Sequence, residues 1–100
     1  MRLDSQLISP TAAEVKRVRQ RGYEIKTRLL VECKEATYPA TNHEGFDRNC
    51  EYVADELIPL GTNLISCIAV YQTPAQHTWE AAFNPSRFRQ HFKVLERLDV

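Results

Sequence analysis

Glycine is scarce in this sequence, and its distribution excludes two common kinds of nucleotide site. The three glycines, Gly22, Gly45 and Gly61, stand far apart along the chain. A phosphate-cradling loop needs several glycines within a few residues, so that backbone N–H groups can approach the phosphates. Neither a Walker-type loop nor a dinucleotide-binding loop can therefore be written anywhere in the sequence.

Cysteine is sparse as well, with only Cys33, Cys50 and Cys67. No two of them lie within the two to about four residues that separate paired ligands in structural zinc sites. Each lies in an apolar pattern, which is typical of a reduced cysteine that packs as a small hydrophobic residue. The sequence therefore predicts no metal or other cofactor and a reducing, cytoplasmic location. A zinc site assembled by folding from Cys50, His77 and Cys67 is a minor alternative.

Long apolar runs are missing too. The longest apolar-rich run, 64–71, is far shorter than the roughly 20 residues that a membrane helix requires. The hydrophobic fraction of 43% and the charged fraction of 26% are those of a globular protein. We therefore predict a soluble single domain over 1–100 that has no membrane partner.

The chain has no net charge, but its charges are segregated. There are 13 Lys and Arg residues against 13 Asp and Glu residues, so no global field draws the protein onto nucleic acid or lipid. Residues 1–35 hold eight basic against five acidic residues, whereas 36–60 hold one against five. This division predicts oppositely charged surfaces on one molecule.

The stretch 23–34 predicts a β-strand. Its side chains alternate between a largely apolar set and a charged set, with Leu30 the only apolar residue in the second. This period of two is typical of a strand with one buried and one solvated face. The predicted buried set is Tyr23, Ile25, Thr27, Leu29, Val31 and Cys33, and the predicted solvated set is Glu24, Lys26, Arg28, Glu32 and Lys34.

Two helices are predicted before and after this strand. The first covers 11–21, because Thr11 and Glu14 have capping-box spacing and Gly22 can adopt the left-handed conformation that ends helices. The second begins at 41 or 42 and ends before Pro59. Its predicted apolar face consists of Phe46, Cys50, Val53, Ala54 and Leu57, and its acidic residues are Glu44, Asp47, Glu51, Asp55 and Glu56.

The last third predicts a hairpin and a helix. Residues 63–72 have apolar side chains at both odd and even positions, which favours a central strand buried on both faces. Residues 77–83 favour a second strand that forms a hairpin with it. Helical spacing of Phe88, Phe92 and Leu95 predicts a final helix over 86–97, with a strand that turns Glu96 inward as the rival. The predicted fold is an α+β two-layer sandwich in the order α-β-α-β-β-α, with a possible short N-terminal strand. Its mainly antiparallel sheet of about three to four strands packs against two to three helices.

Basic residues on the first and last predicted helices are the candidate binding residues: Lys16, Arg17, Arg19, Arg21, Arg87, Arg89 and Lys93. Together with the acidic middle segment and free sheet edges, they predict a non-catalytic interaction module that self-associates or docks on a protein partner. Nucleic-acid binding by the basic helices 11–21 and 86–97 is the alternative, because both are rich in cations and the second interleaves them with Phe88 and Phe92. An ordinary solvated helix face explains the same cations.

Catalysis has the weakest support in the sequence. His43 and His77 could each act as a general base, and a cysteine could act as a nucleophile, in a small enzyme or ligand pocket. Cys50, however, lies among acidic neighbours that disfavour its thiolate. We therefore predict no enzymatic activity and no catalytic residues.

Overall fold

A computed structural model of the protein describes residues 7–36, 45–71 and 81–100, in which it places two helices and five strands. In chain order these are α1 (Ala12–Gln20), β1 (Tyr23–Cys33), β2 (Glu51–Pro59), β3 (Cys67–Tyr71), β4 (Ala81–Phe83), α2 (Pro85–His91) and β5 (Phe92–Asp99). The strands form one antiparallel sheet in the order β4-β3-β2-β1-β5. The class is α+β in the broad sense, but the predicted two-layer sandwich in the order α-β-α-β-β-α is wrong.

The two helices lie on opposite faces of the sheet. On the face that α1 covers, named the α1 face, the core consists of Val18, Ile25, Leu57, Ala69 and Tyr71. On the opposite face, named the α2 face, it consists of Leu29, Val31, Cys33, Phe46, Ala54, Ile68, Val70, Phe83, Phe88 and Phe92. Both faces of the central strands are therefore buried.

The predicted middle helix is in fact strand β2, together with the turn that precedes it. Ala54 and Leu57 are both buried but lie on opposite faces of the sheet, in separate cores. A strand that is covered on both faces places apolar residues at both parities, and offsets of three and four then occur by chance. The predicted start of the helix, at 41 and 42, lies outside the described residues.

The predicted final helix over 86–97 is correct only in its first half. Asn84 caps α2 by accepting a hydrogen bond from the Arg87 N–H at 2.8 Å, and the helix ends at His91. The chain then becomes β5, which pairs with β1 from Cys33↔Phe92 to Thr27↔Asp99. The rival strand interpretation is the correct one for this half.

Strand β1 is confirmed, but its predicted solvated face is wrong. The pairing of β1 with β2 shifts between Ile25 and Thr27, so Lys26 is an extra residue in β1. Ile25 consequently packs on the α1 face, whereas Leu29 packs on the α2 face. Arg28, predicted to be solvated, is 5% exposed because α1 covers it.

The local signals at chain reversals are confirmed. Thr11 caps α1 by accepting a hydrogen bond from the Glu14 N–H at 3.2 Å, and Gly22 has a φ of +89°. The predicted hairpin is also present, since β3 pairs with β4 from Ile68↔Phe83 to Val70↔Ala81. Residues 72–80, which include His77, lie outside the described residues, as do 1–6 at the start of the possible N-terminal strand.

Candidate binding groove

Helix α2 covers only one end of the α2 face. Helix α2 has seven residues and is about 10 Å long, whereas β1 has 11 residues and extends for about 35 Å. The helix is fixed over the C-terminal end of β1, because the Lys34 N–H donates to the His91 carbonyl at 2.7 Å. The remainder of this face has no helix over it in the described part of the chain.

A groove of about 610 Å³ lies beside α2. Its floor is apolar and comes from three strands and the helix, through Leu29, Ile68, Phe88, Phe92 and Val94. Ile58 lies at the side of the groove and is 40% exposed. A groove of this volume and lining is large enough for a small organic ligand or a few side chains of another protein.

The rim of the groove is basic. Four cationic residues line it, Lys26, Lys34, Arg89 and Arg97, against one carboxylate, Glu56. Arg97 donates to that carboxylate at 3.2 Å across an exposed pair, which offsets its charge. Lys34 Nζ donates to the Arg89 carbonyl at 2.8 Å, and this contact holds the lysine near the helix. The groove is therefore electropositive although the whole chain is neutral.

Two strand irregularities lie at the rim cations. Lys26 is the extra residue of β1, and β5 contains a second register shift, since Leu30 pairs with Glu96 but Val31 pairs with Val94. Because of this second shift, Val94 and Arg97 lie on the same face of the sheet although three positions separate them. Bulges of this kind redirect side chains, and here they bring Lys26 and Arg97 to the groove.

The structure separates most of the predicted binding residues. The basic residues Lys16, Arg17, Arg19 and Arg21 belong to α1 or follow it directly, so they lie on the α1 side of the sheet. Arg87 and Arg89 belong to α2, on the opposite side. Lys93 pairs with Glu32 and alternates with Phe92 and Val94, so it also points away from the groove. Only Arg89 of the predicted set lines the groove.

Lys26, Lys34 and Arg97 were not among the predicted binding residues, since alternation alone assigns the two lysines to an ordinary solvated strand face. Nothing in the sequence signals the bulges that bring Lys26 and Arg97 to the groove. Over 92–99, charged and apolar residues occur at both odd and even positions, which is compatible with a bulged strand. An α-helix explains the same pattern equally well.

A second polar constellation lies buried on the α1 face. Arg28 makes a bidentate salt bridge with Asp55, in which Nε donates to Oδ1 at 2.8 Å and Nη2 donates to Oδ2 at 3.0 Å. Its Nη1 donates to both oxygens of Glu14 at 3.2 Å. The Tyr71 hydroxyl donates to Asp55 Oδ2 at 2.8 Å. We name these four residues the ion cluster.

Burial and neighbouring charge act in opposite directions on the pKa of Arg28 and in the same direction on the pKa of Tyr71. Burial by itself would lower the pKa of Arg28, but hydrogen bonds to the Asp55 and Glu14 carboxylates outweigh it and raise that pKa. Burial raises the pKa of the Tyr71 hydroxyl, and the negative charge of Asp55 raises it further. The arginine therefore stays charged and the phenol stays neutral. All three guanidinium nitrogens have partners, so the cluster joins α1 to the sheet and leaves no nitrogen unbonded for a ligand.

The predicted acidic surface is also changed by the fold. Asp55 is fully buried against Arg28, and Glu56 is paired with Arg97. These two carboxylates are therefore neutralised within the molecule, and no acidic helix is present at 51–59. The segregation of charge along the sequence is partly cancelled when the strands pair.

The cysteines of the chain are separate free thiols. Burial raises the pKa of the Cys33 thiol and that of the Cys67 thiol, which disfavours their nucleophilic thiolate forms. Cys50 precedes β2, whereas Cys67 pairs with Leu57 near its other end, so the two lie about 20 Å apart. That distance is too long for both to bind one metal ion, so the alternative zinc site is wrong. His43 and His77 lie outside the described residues.

Across 7–36, 45–71 and 81–100, no group of three or more His, Cys, Asp or Glu side chains is placed to hold a metal ion. In the same ranges, neither helix has the length and apolar character needed to cross a membrane. Comparison of the chain with protein-family models, curated proteins and solved structures finds no match.

Proposed function

We propose that the protein is a non-catalytic interaction module that docks on a protein partner through the groove on the α2 face. The observation that carries this proposal is the mismatch between the short helix α2 and the long strands beneath it. In the described part of the chain, Ile58 and Val94 keep accessible apolar surface at the groove, and its burial against another protein would be favourable. The partner is either a different protein or a second copy of this chain.

The apolar side of the groove supports a protein partner. Ile58 is exposed at its edge, and the floor residues come from elements that are fixed by the sheet. A rigid apolar floor with a polar rim is the usual arrangement of a protein interface, in which a few buried anchors provide most of the binding energy. The groove would receive such anchors from the partner.

Nucleic-acid binding, the alternative, has less support. The basic residues of α1 and those of α2 lie on opposite sides of the sheet, so they do not form one surface along a phosphate backbone. Phe88 and Phe92 are 3% and 2% exposed, and rings buried to this extent are not accessible for stacking with bases. We also propose a cytoplasmic location, which is supported by the absence of a disulfide among the three cysteines.

The experiment compares three forms of the full chain as bait in affinity capture. Ile58→Asp places a charge at the side of the groove. Ile65→Asp is the matched control, because Ile65 is 75% exposed and does not line the groove. Thermal melting verifies that both variants fold, and sedimentation velocity on each form measures self-association.

The proposal expects the wild type and Ile65→Asp to retain the same partner, or the same oligomer, and Ile58→Asp to lose it. If Ile58→Asp is folded and retains that partner or oligomer at the wild-type level, the groove is not the docking site and the proposal is wrong. The same conclusion follows if the wild type captures no protein and sediments as a monomer.

A further inference from the structure

We infer that the segment bound in the groove is an acidic, amphipathic peptide stretch, with apolar side chains on the floor and carboxylates at the rim. This inference rests on the proposed docking function and adds the chemistry of the partner. Its basis is the composition of the groove lining, where four cations surround an apolar floor and the one carboxylate already has a cationic partner.

The rim charge is a local property of the groove. The chain as a whole has as many acidic as basic residues, so an excess of cations at one groove is not a consequence of overall composition. Arg97 is 60% exposed at its side chain, and Arg89 and Lys34 are also exposed, so an incoming carboxylate can reach them. Complementary charge of this kind increases the rate of association and selects against basic partners.

The apolar floor of the groove favours a bound segment that carries apolar side chains. Leu29 and Ile68 are 1% and 7% exposed, so the surface they offer is small and lies deep. Val94 and Ile58 add the more accessible apolar surface. A segment with a leucine-sized side chain between two carboxylates could contact the apolar floor and pair with the cations of the rim. A nucleotide would leave its polar base edges against apolar residues, at a cost in desolvation.

The experiment uses short acetylated peptides of defined composition with a fluorescent label. The first has the sequence Leu-Glu-Glu-Leu-Leu-Glu, the second replaces every glutamate with lysine, and the third replaces every leucine with serine. Fluorescence anisotropy measures binding to the full chain. Laurate, a simple anionic amphiphile, and a single-stranded DNA oligonucleotide serve as competitors that represent other classes of ligand.

Two arginines of α2 provide a matched pair of variants. Arg89 lines the groove, whereas Arg87 lies two residues earlier on the same helix, outside the lining, with its guanidinium 5.9 Å from the centre of the Phe83 ring. We expect Arg89→Glu to weaken binding of the glutamate peptide about fivefold, and Arg87→Glu to change it by less than about twofold. Binding should also weaken as salt is raised, because the rim charges are exposed.

The inference is supported if the glutamate peptide binds at least about tenfold more tightly than the lysine peptide and the serine peptide, with the stated sensitivity to Arg89→Glu. It is overturned if the lysine or serine peptide binds as tightly, if no peptide binds, or if laurate or DNA displaces the glutamate peptide more effectively than the unlabelled peptide does. In each of these outcomes the docking groove would still be supported if, in the capture experiment, Ile58→Asp loses the partner that the wild type retains. Failure of that capture experiment together with failure of all peptides to bind would contradict both proposals.

Discussion

Arg28 and Asp55 face each other across β1 and β2 and join their side chains by two hydrogen bonds of 2.8 and 3.0 Å. Asp55 is fully buried, and Arg28 is nearly so. Opposite charges at paired positions of adjacent strands attract each other, and here α1 excludes water from the pair. This salt bridge, extended by Glu14 and Tyr71, fixes the helix that covers the α1 face.

Loss of one partner of this salt bridge should destabilise the protein strongly. We expect Asp55→Asn to lower the free energy of unfolding by about 3 kcal/mol, because Arg28 would remain buried with Glu14 as its one remaining carboxylate partner. Urea unfolding followed by circular dichroism measures the change. The matched control is Glu56→Gln, next along the chain, whose exposed pair with Arg97 should contribute no more than about 1 kcal/mol. Equal effects of the two substitutions would contradict the role given to the buried pair.

Tyr71 should make the protein sensitive to alkaline pH. Its pKa in the folded state is raised above the usual value of 10.0, first by burial and then by Asp55. Above about pH 10 the unfolded chain releases this proton while the folded chain retains it, so stability should fall as the pH rises. Below that pH the contribution is fully present.

Tyr71→Phe tests this prediction. The variant should lose about 1 kcal/mol at neutral pH, where the hydrogen bond to Asp55 is removed. It should then lose less stability than the wild type when the pH is raised from neutral to above about 10. Chemical unfolding at a series of pH values measures both quantities. An unchanged alkaline decline in Tyr71→Phe would show that other groups, such as Tyr52 or Cys33, account for it.

Gly22 and Gly61 should respond differently to the same substitution. Gly22 has a φ of +89°, and a Cβ there would lie 2.8 Å from Leu64 Cδ1. We expect Gly22→Ala to cost about 1–2 kcal/mol, chiefly from the left-handed backbone. A Cβ at Gly61 would meet no atom within 4 Å, so Gly61→Ala should be neutral or stabilise by up to about 1 kcal/mol. Thermal melting of both variants measures this difference, and equal shifts in Tm would contradict it.

Local chemistry made some elements predictable from the sequence. The N-terminal cap of α1 and its end at Gly22 each depend on a few neighbouring residues, and each was confirmed. Strand β1 was also confirmed, because its alternation extends over many residues. The hairpin predicted from runs of apolar residues was confirmed over 67–71 and 81–83, whereas 63–66, also predicted as strand, precede β3.

The errors arose where burial on both faces removes the difference between strand and helix patterns. In β2, Ala54 and Leu57 belong to different cores, yet their spacing is that of one helix face. The bulge at Lys26 places the β1 residues before it on the opposite face from the one that simple alternation predicts. No residue type at this site signals a bulge. The alternation of β1 also could not show that α1 would cover Arg28, and the unsignalled bulges hid the approach of Lys26 and Arg97 to one groove.

The measurement that tests the docking groove most directly is amide chemical-shift mapping of the isotope-labelled full chain, titrated with the Leu-Glu-Glu-Leu-Leu-Glu peptide. We predict that shifts concentrate at groove residues such as Leu29, Ile68, Arg89 and Val94, and that residues of α1 are unaffected. A saturating titration in which the shifts cluster on α1 and its basic side chains, with the groove unchanged, would contradict the account.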